Sequence, residues 1–142
     1  MGRLTDACET PTLRVMPATV LVVDDDADLV RLISRFLSLE GFRAVPAANG
    51  REALAYLQGG GEAHAILLDL RMPIMDGWTF RRAQRADPAI ARIPVVVLSG
   101  VAELEALRDL DAASTFSKPV SLPEMTDAVR KLIDAGAGSL SP

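Results

Sequence analysis

At 142 residues the chain is one domain's worth of sequence, and its 49% apolar and 24% charged content is that of an ordinary globular protein. A formal net charge of −4 leaves no basic footprint for nucleic acid or for anionic lipid. The lone cysteine, Cys8, excludes an internal disulfide, and the single histidine, His64, lies too far along the chain for zinc-ligand spacing. No apolar run reaches membrane-spanning length, and the first twenty residues lack the apolar core of a signal peptide, so a cytoplasmic protein is expected.

Residues 1–18 mix prolines, threonines and charges without periodicity and are expected to form a loose tail. Val20 to Val23 is a short β-branched run ending in Asp24-Asp25-Asp26, which reads as a buried strand followed by an acidic loop. Leu29, Leu32, Ile33, Phe36 and Leu37 then recur at helical spacing, with Asp26 as the expected cap and Gly41 as the stop. Phe42 to Ala47 is a second strand, placed at a sheet edge because Pro46 has no amide to give to a ladder. Ala53, Leu54 and Leu57 mark a short second helix that ends in Gly59-Gly60-Gly61.

Ala65 to Leu68 is wholly apolar and runs into Asp69, the pattern of a strand buried on both faces. A helix is expected from about Asp76 to Ala86, with Trp78 as its large apolar contact and several arginines outward, ended by Asp87-Pro88. Pro94 to Ser99 is another apolar strand, followed by Gly100 and an amphipathic helix over Glu103–Leu110. Ser114 to Ser117 is a short fifth strand leading into Lys118-Pro119. Ser121-Leu122-Pro123-Glu124 carries a capping-box signature for a last helix reaching about Ala135, with 136–142 as a C-terminal tail.

Five strands alternating with five helices imply a parallel, doubly wound α/β sheet with right-handed crossovers. An edge strand second in sequence suits the flavodoxin-like order 2-1-3-4-5, a three-layer (βα)5 sandwich. In that order the carboxyl ends of four strands bring Asp24, Asp25, Asp69, Ser99 and Lys118 to one edge. Three carboxylates in one cleft repel each other, and a bound cation relieves the repulsion. Oxygen ligands with open positions suit Mg2+. An ionised carboxylate is a workable nucleophile toward phosphorus, and a cation, the Lys118 ammonium and the Ser99 hydroxyl would stabilise a phosphoryl group in transfer. The small Gly100 leaves room for it.

These residues stand in Val-Val-Asp-Asp, Leu-Asp-Leu-Arg-Met-Pro-Ile-Met-Asp-Gly, Val-Leu-Ser-Gly and Ser-Lys-Pro, in that order, and here the chain resembles the receiver domain of two-component response regulators. The resemblance covers roughly Val20 to Ala135, within a domain set at 19–135. It implies a single-domain signalling protein, not an enzyme in its own right, that accepts a phosphoryl group on Asp69 from a sensor histidine kinase or a histidine phosphotransfer protein. It further implies Mg2+ bound by Asp25, Asp69 and the backbone carbonyl of Arg71, with Asp24 acting through a metal-bound water. Ser99 is then the switch hydroxyl and Lys118 the phosphate-binding lysine, its bond to Pro119 often cis in the family. The downstream partner would bind the face of the fourth helix, fifth strand and fifth helix, or the phosphoryl group would pass onward in a relay.

The chain departs from the family at Thr115, where an aromatic residue usually stands three positions before the lysine. Phe116 falls one place later and is expected on the opposite strand face. That leaves open the usual coupled movement of hydroxyl and aromatic ring, and with it a phosphorylation-independent interaction module as the competing reading. Arg71 and Val101 occupy the positions that tune dephosphorylation, and neither is an acid or amide suited to orienting water, so a persistent phosphoryl state is expected. A flavin site fails on the three aspartates after the first strand, and a haloacid dehalogenase-type phosphatase would want an aspartate at Arg71. His64 is expected at the surface before the third strand.

Overall fold

The computed structural model describes residues 17–100 and 110–139. Within them run β1 (Thr19–Val23), α1 (Ala27–Leu39), β2 (Arg43–Ala47), α2 (Gly50–Gln58), β3 (Ala65–Asp69), α3 (Gly77–Ala86), β4 (Val95–Ser99), β5 (Ser114–Ser117) and α4 (Leu122–Ser139). The helix expected over Glu103–Leu110 lies outside the described residues except for Leu110. All neighbouring strands are parallel, in the order β2-β1-β3-β4-β5. The expected flavodoxin-like topology is therefore the observed one.

Alternation along the strands divides the core into two layers. Leu21, Val23, Ile66, Leu68, Val95 and Val97 face Ala53, Leu57 and Phe80 from α2 and α3. Val20, Val22, Ala65, Leu67, Val96 and Leu98 face Ile33 and Leu37 of α1 and Met125 and Val129 of α4. Every residue of β1, β3 and β4 is buried, which is why their sequences are continuous apolar runs and not alternating ones. Each fully buried Val, Leu or Ile side chain contributes about 1.5–3 kcal/mol relative to exposure. Pro46 pairs in register with Val22, and its strand is the sheet edge that proline requires.

Local chemistry sets the helix ends. Asp26 caps α1, its carboxylate accepting from the amides of Asp28 and Leu29 at 3.1 and 3.2 Å. Asn49 and Asp76 cap α2 and α3 in the same way, accepting from Glu52 at 2.9 Å and Thr79 at 2.8 Å. The Glu124 amide donates to Ser121 Oγ at 3.4 Å at the start of α4. That helix continues to Ser139, four residues beyond the expected end at Ala135, because Gly136 does not adopt the left-handed conformation that stops a helix.

The helix α3 corrects the sequence reading in one respect. Its inward residues are Gly77, Phe80, Arg81 and Gln84. Phe80 is the fully buried ring, whereas Trp78 is half-buried at the margin of the core. Arg82 and Arg85 point outward as expected, but Arg81 is buried. Its guanidinium donates to the carbonyls of Leu110 (2.7 Å) and Asp111 (2.8 Å) and to Gln84 Oε1 (2.8 Å). Gln84 Nε2 in turn donates to the carbonyls of Ile90 (2.9 Å) and Ile93 (3.1 Å). An apolar-periodicity argument discounts charged residues, so it missed a helical face that pairs its polar groups inside.

Candidate functional site

The carboxyl ends of β1, β3 and β5 meet at one edge of the sheet. Asp24 follows β1 and is held there twice: its amide donates to the Ala47 carbonyl at 3.1 Å, and its Oδ1 accepts from the Asp26 amide at 2.9 Å. Asp69 is the last residue of β3, buried between β1 and β4. Asp25 stands exposed beside them, and carboxylate oxygens of Asp24, Asp25 and Asp69 all lie within 4.8 Å of one another. Lys118 reaches in from the end of β5, its Nζ 3.0 Å from Asp24 Oδ2 and 3.1 Å from Asp69 Oδ1.

One ammonium cannot neutralise three carboxylates. Burial first, and then the charge of Asp24, push the Asp69 carboxyl up to about 6, against the hydrogen bond and charge of Lys118. For Lys118, burial works to lower the pKa, but hydrogen bonds to Asp24 and Asp69 outweigh it and the net shift is upward. The lysine therefore stays an ammonium, and the site keeps an excess of negative charge in little-hydrated surroundings. Ser99 adds a second unmet demand. It ends β4, its carbonyl accepts from the Lys118 amide at 2.8 Å, and its buried Oγ has no hydrogen-bond partner among the described residues. The three crowded acids and the orphaned hydroxyl together suit a divalent cation and a small oxyanion.

Two glycines allow the neighbouring backbone to approach. A Cβ on Gly77 would collide with the carbonyl oxygen of Asp69 and Cα of Leu70, and the Gly77 amide donates to Leu70 O at 2.8 Å. A Cβ on Gly50 would stand 2.9 Å from Met75 O, to which the Gly50 amide donates at 2.9 Å. The turn after Asp69 is thus clamped by α2 and α3. Sequence reading assigned these glycines no part in the site; the Asp-Gly and Asn-Gly pairs that open both helices were the available signal. Within this turn Ile74 has φ of 72° and the Met75 amide donates to Pro73 O at 2.7 Å, a strained γ-turn.

Of the other expected site residues, Arg71 is exposed, with its guanidinium 5.8 Å from the centroid of the Trp78 ring. Gly100 is exposed after β4. Thr115 is exposed on β5 while Phe116 turns to the opposite side and packs against the α1–α4 layer, as the strand period requires. The Lys118–Pro119 bond is cis. Val101 lies outside the described residues.

A doubly wound parallel sheet with an acid cluster and a lysine at its strand ends defines a class of phosphoryl-handling α/β protein. The family model "Response regulator receiver domain" matches residues 20–130, and the chain belongs to that family. It is a phosphoacceptor domain of two-component signalling, a system in which receiver domains work with histidine kinases or phosphotransfer proteins. Sporulation initiation phosphotransferase F of Bacillus subtilis is 30% identical over 122 residues, covering 84% of this chain and 96% of that one. The response regulator MprA of Mycolicibacterium vanbaalenii is 34% identical over 131 residues, covering 87% of this chain but only 55% of MprA. Among solved structures, the receiver domain of a Pseudomonas aeruginosa sensor histidine kinase shares the fold. Its TM-score is 0.77 at 24% identity, covering 84% of this chain and 99% of that one, and a magnesium ion is coordinated in its active site cleft. Among the described residues no helix is long and apolar enough to cross a membrane.

Proposed function

We propose that Asp69 is the phosphoacceptor, receiving a phosphoryl group from a phosphohistidine of a sensor histidine kinase or phosphotransfer protein. The observation that carries this is the meeting of Asp24, Asp25 and Asp69 within 4.8 Å, with Lys118 3.1 Å from Asp69. An Asp69 carboxylate oxygen forms the new P–O bond as the P–N bond to the donor imidazole breaks, its electron pair staying on the imidazole nitrogen. With its pKa near 6, Asp69 is mostly ionised at neutral pH and competent to attack. The Lys118 ammonium, already on Asp69, faces charge developing on one phosphoryl oxygen, and the unpartnered Ser99 hydroxyl donates to another.

Asp24, Asp25 and Asp69, with the Arg71 carbonyl, would hold Mg2+, which would supply positive charge for the phosphoryl oxygens. The magnesium ion in the Pseudomonas aeruginosa receiver domain supports this assignment. The domain spans 19–135 in the cytoplasm, promotes its own phosphorylation, and then switches a partner protein through the surface around β5 and α4 or passes the phosphoryl group on. The test is Mg2+-dependent labelling with acetyl phosphate, read by intact mass, and with beryllofluoride, read by NMR. Wild type should respond to both and Asp69→Asn to neither; a silent wild type or a labelled mutant overturns the assignment. Since neither Arg71 nor Val101 is an acid or amide suited to orienting water, the label should persist for minutes or longer, and decay within seconds in Mg2+ buffer would contradict that.

A further inference from the structure

Among the described residues, three large apolar side chains stand exposed: Leu32, Leu39 and Ile74. Single exposed leucines are ordinary on a helix such as α1, but Ile74, 76% exposed, carries a second anomaly. It is the central residue of the γ-turn that the Met75 amide closes on Pro73 O, at φ 72°, a conformation β-branched side chains resist. The other positive-φ residue with a side chain, Asp111, is of a type that tolerates it, and Arg81 holds its carbonyl at 2.8 Å. No packing among the described residues accounts for isoleucine at 74, where glycine would meet the turn without strain. The turn is nonetheless clamped. The Gly50 amide donates to Met75 O at 2.9 Å, the Gly77 amide donates to Leu70 O at 2.8 Å, and Met75 packs against the α2–α3 core layer.

We propose, on the reading of Asp69 as the phosphoacceptor, that Ile74 anchors the protein that delivers the phosphoryl group, meeting an apolar side chain beside that protein's phosphohistidine. Transfer brings an Asp69 oxygen to about 3–3.5 Å from phosphorus before the P–O bond forms. The P–N bond then breaks, its electron pair leaving on the imidazole nitrogen. The donor surface therefore covers the strand ends. A specific complex covers about 800 Å² on each partner, a disc of about 16 Å radius. Ile74 is three residues from Gly77, at most about 11 Å of chain. A Cβ on Gly77 would collide with the carbonyl oxygen of Asp69, so Ile74 falls inside the covered disc. A side chain carried on a clamped turn loses little freedom on binding, which favours contact there.

The test compares two donors on the full chain. Acetyl phosphate needs only the chemistry at Asp69, whereas an autophosphorylated histidine kinase needs the contact as well. The kinase used is the one from the source genome that labels the wild type fastest. Ile74→Ala should raise the KM of the chain as kinase substrate by about tenfold or more, with kcat within about twofold. Ile74→Val, one methylene shorter, should stay within about fourfold of wild type. Acetyl phosphate labelling should stay within about twofold for both variants. An unchanged KM in Ile74→Ala overturns the proposal. So does a parallel loss with acetyl phosphate, which would place the effect in the chemistry at Asp69. A wild type that acetyl phosphate labels and no kinase does also overturns it. So does a change in the sedimentation of Ile74→Ala alone, which would assign the side chain to a second copy of this chain. A wild type that neither donor labels removes the reading of Asp69, and the proposal with it.

Discussion

Among the described residues, two clusters of buried polar side chains are built on opposite plans. Around Arg81 the guanidinium meets two carbonyls and Gln84, and the Gln84 amide meets two more carbonyls. Around Asp69 two buried carboxylates share one lysine beside an exposed third, and the Ser99 hydroxyl has no partner among the described residues. A satisfied network fixes architecture, here tying α3 to the start of the β5 segment and to the turn before β4. An unsatisfied one holds its unmet charge and hydrogen-bonding capacity for a species from outside. The contrast between the two is what separates structural from functional polarity in this fold.

The sharpest way to break the comparison is Lys118→Ala, which removes the ammonium that contacts both Asp24 and Asp69. Acetyl phosphate labelling should drop by about 10²–10³-fold with the circular dichroism spectrum unchanged; a loss below tenfold would demote the lysine to a structural counter-ion. Arg81→Ala should act the other way. It strands buried carbonyls and costs about 3 kcal/mol in urea unfolding, with labelling per folded molecule near wild type. Equal stability in the mutant would show that the network is dispensable.

A smaller effect concerns pH. The folded-state pKa of Asp69 lies above its unfolded value of 3.8, at about 6, so the stability linked to its protonated form is complete below about pH 4 and is lost as pH rises through 6. In EDTA at pH 7.5, Asp69→Asn should therefore be more stable than wild type by ~1–2 kcal/mol. That advantage should disappear near pH 4 and shrink when Mg2+ is added to the wild type. Destabilisation by Asp69→Asn at pH 7.5 would mean that the lysine contacts outweigh the crowding. Smallest of all, Ser99→Ala deletes a hydroxyl that has no partner among the described residues, so urea unfolding should change by less than about 1 kcal/mol. A larger loss would reveal a structural bond there.

The sequence made the candidate site legible because its signals are local. Apolar runs ending in Asp24, Asp69 and Ser99 announce buried strands with polar carboxyl ends, and Pro46 alone places β2 at the edge. Topology then converts those ends into one site. Arg81 and Gln84 were not legible because their partners are backbone carbonyls of residues up to thirty positions away, which no side-chain pattern reveals. The same holds for Gly77, whose necessity comes from a close approach to Asp69 and Leu70 and not from its own neighbours in sequence.

The two margins of the sheet have a consequence for association. On one side β2 carries Pro46, exposed and without an amide, and on the other β5 is only four residues long, Ser-Thr-Phe-Ser. A proline-interrupted margin and a short polar one are poor templates for an incoming extended chain. Recruitment by strand addition is thus discouraged at both margins, and side-chain surfaces are left as the means of docking a partner. The same blunting should keep concentrated samples from growing into continuous sheets.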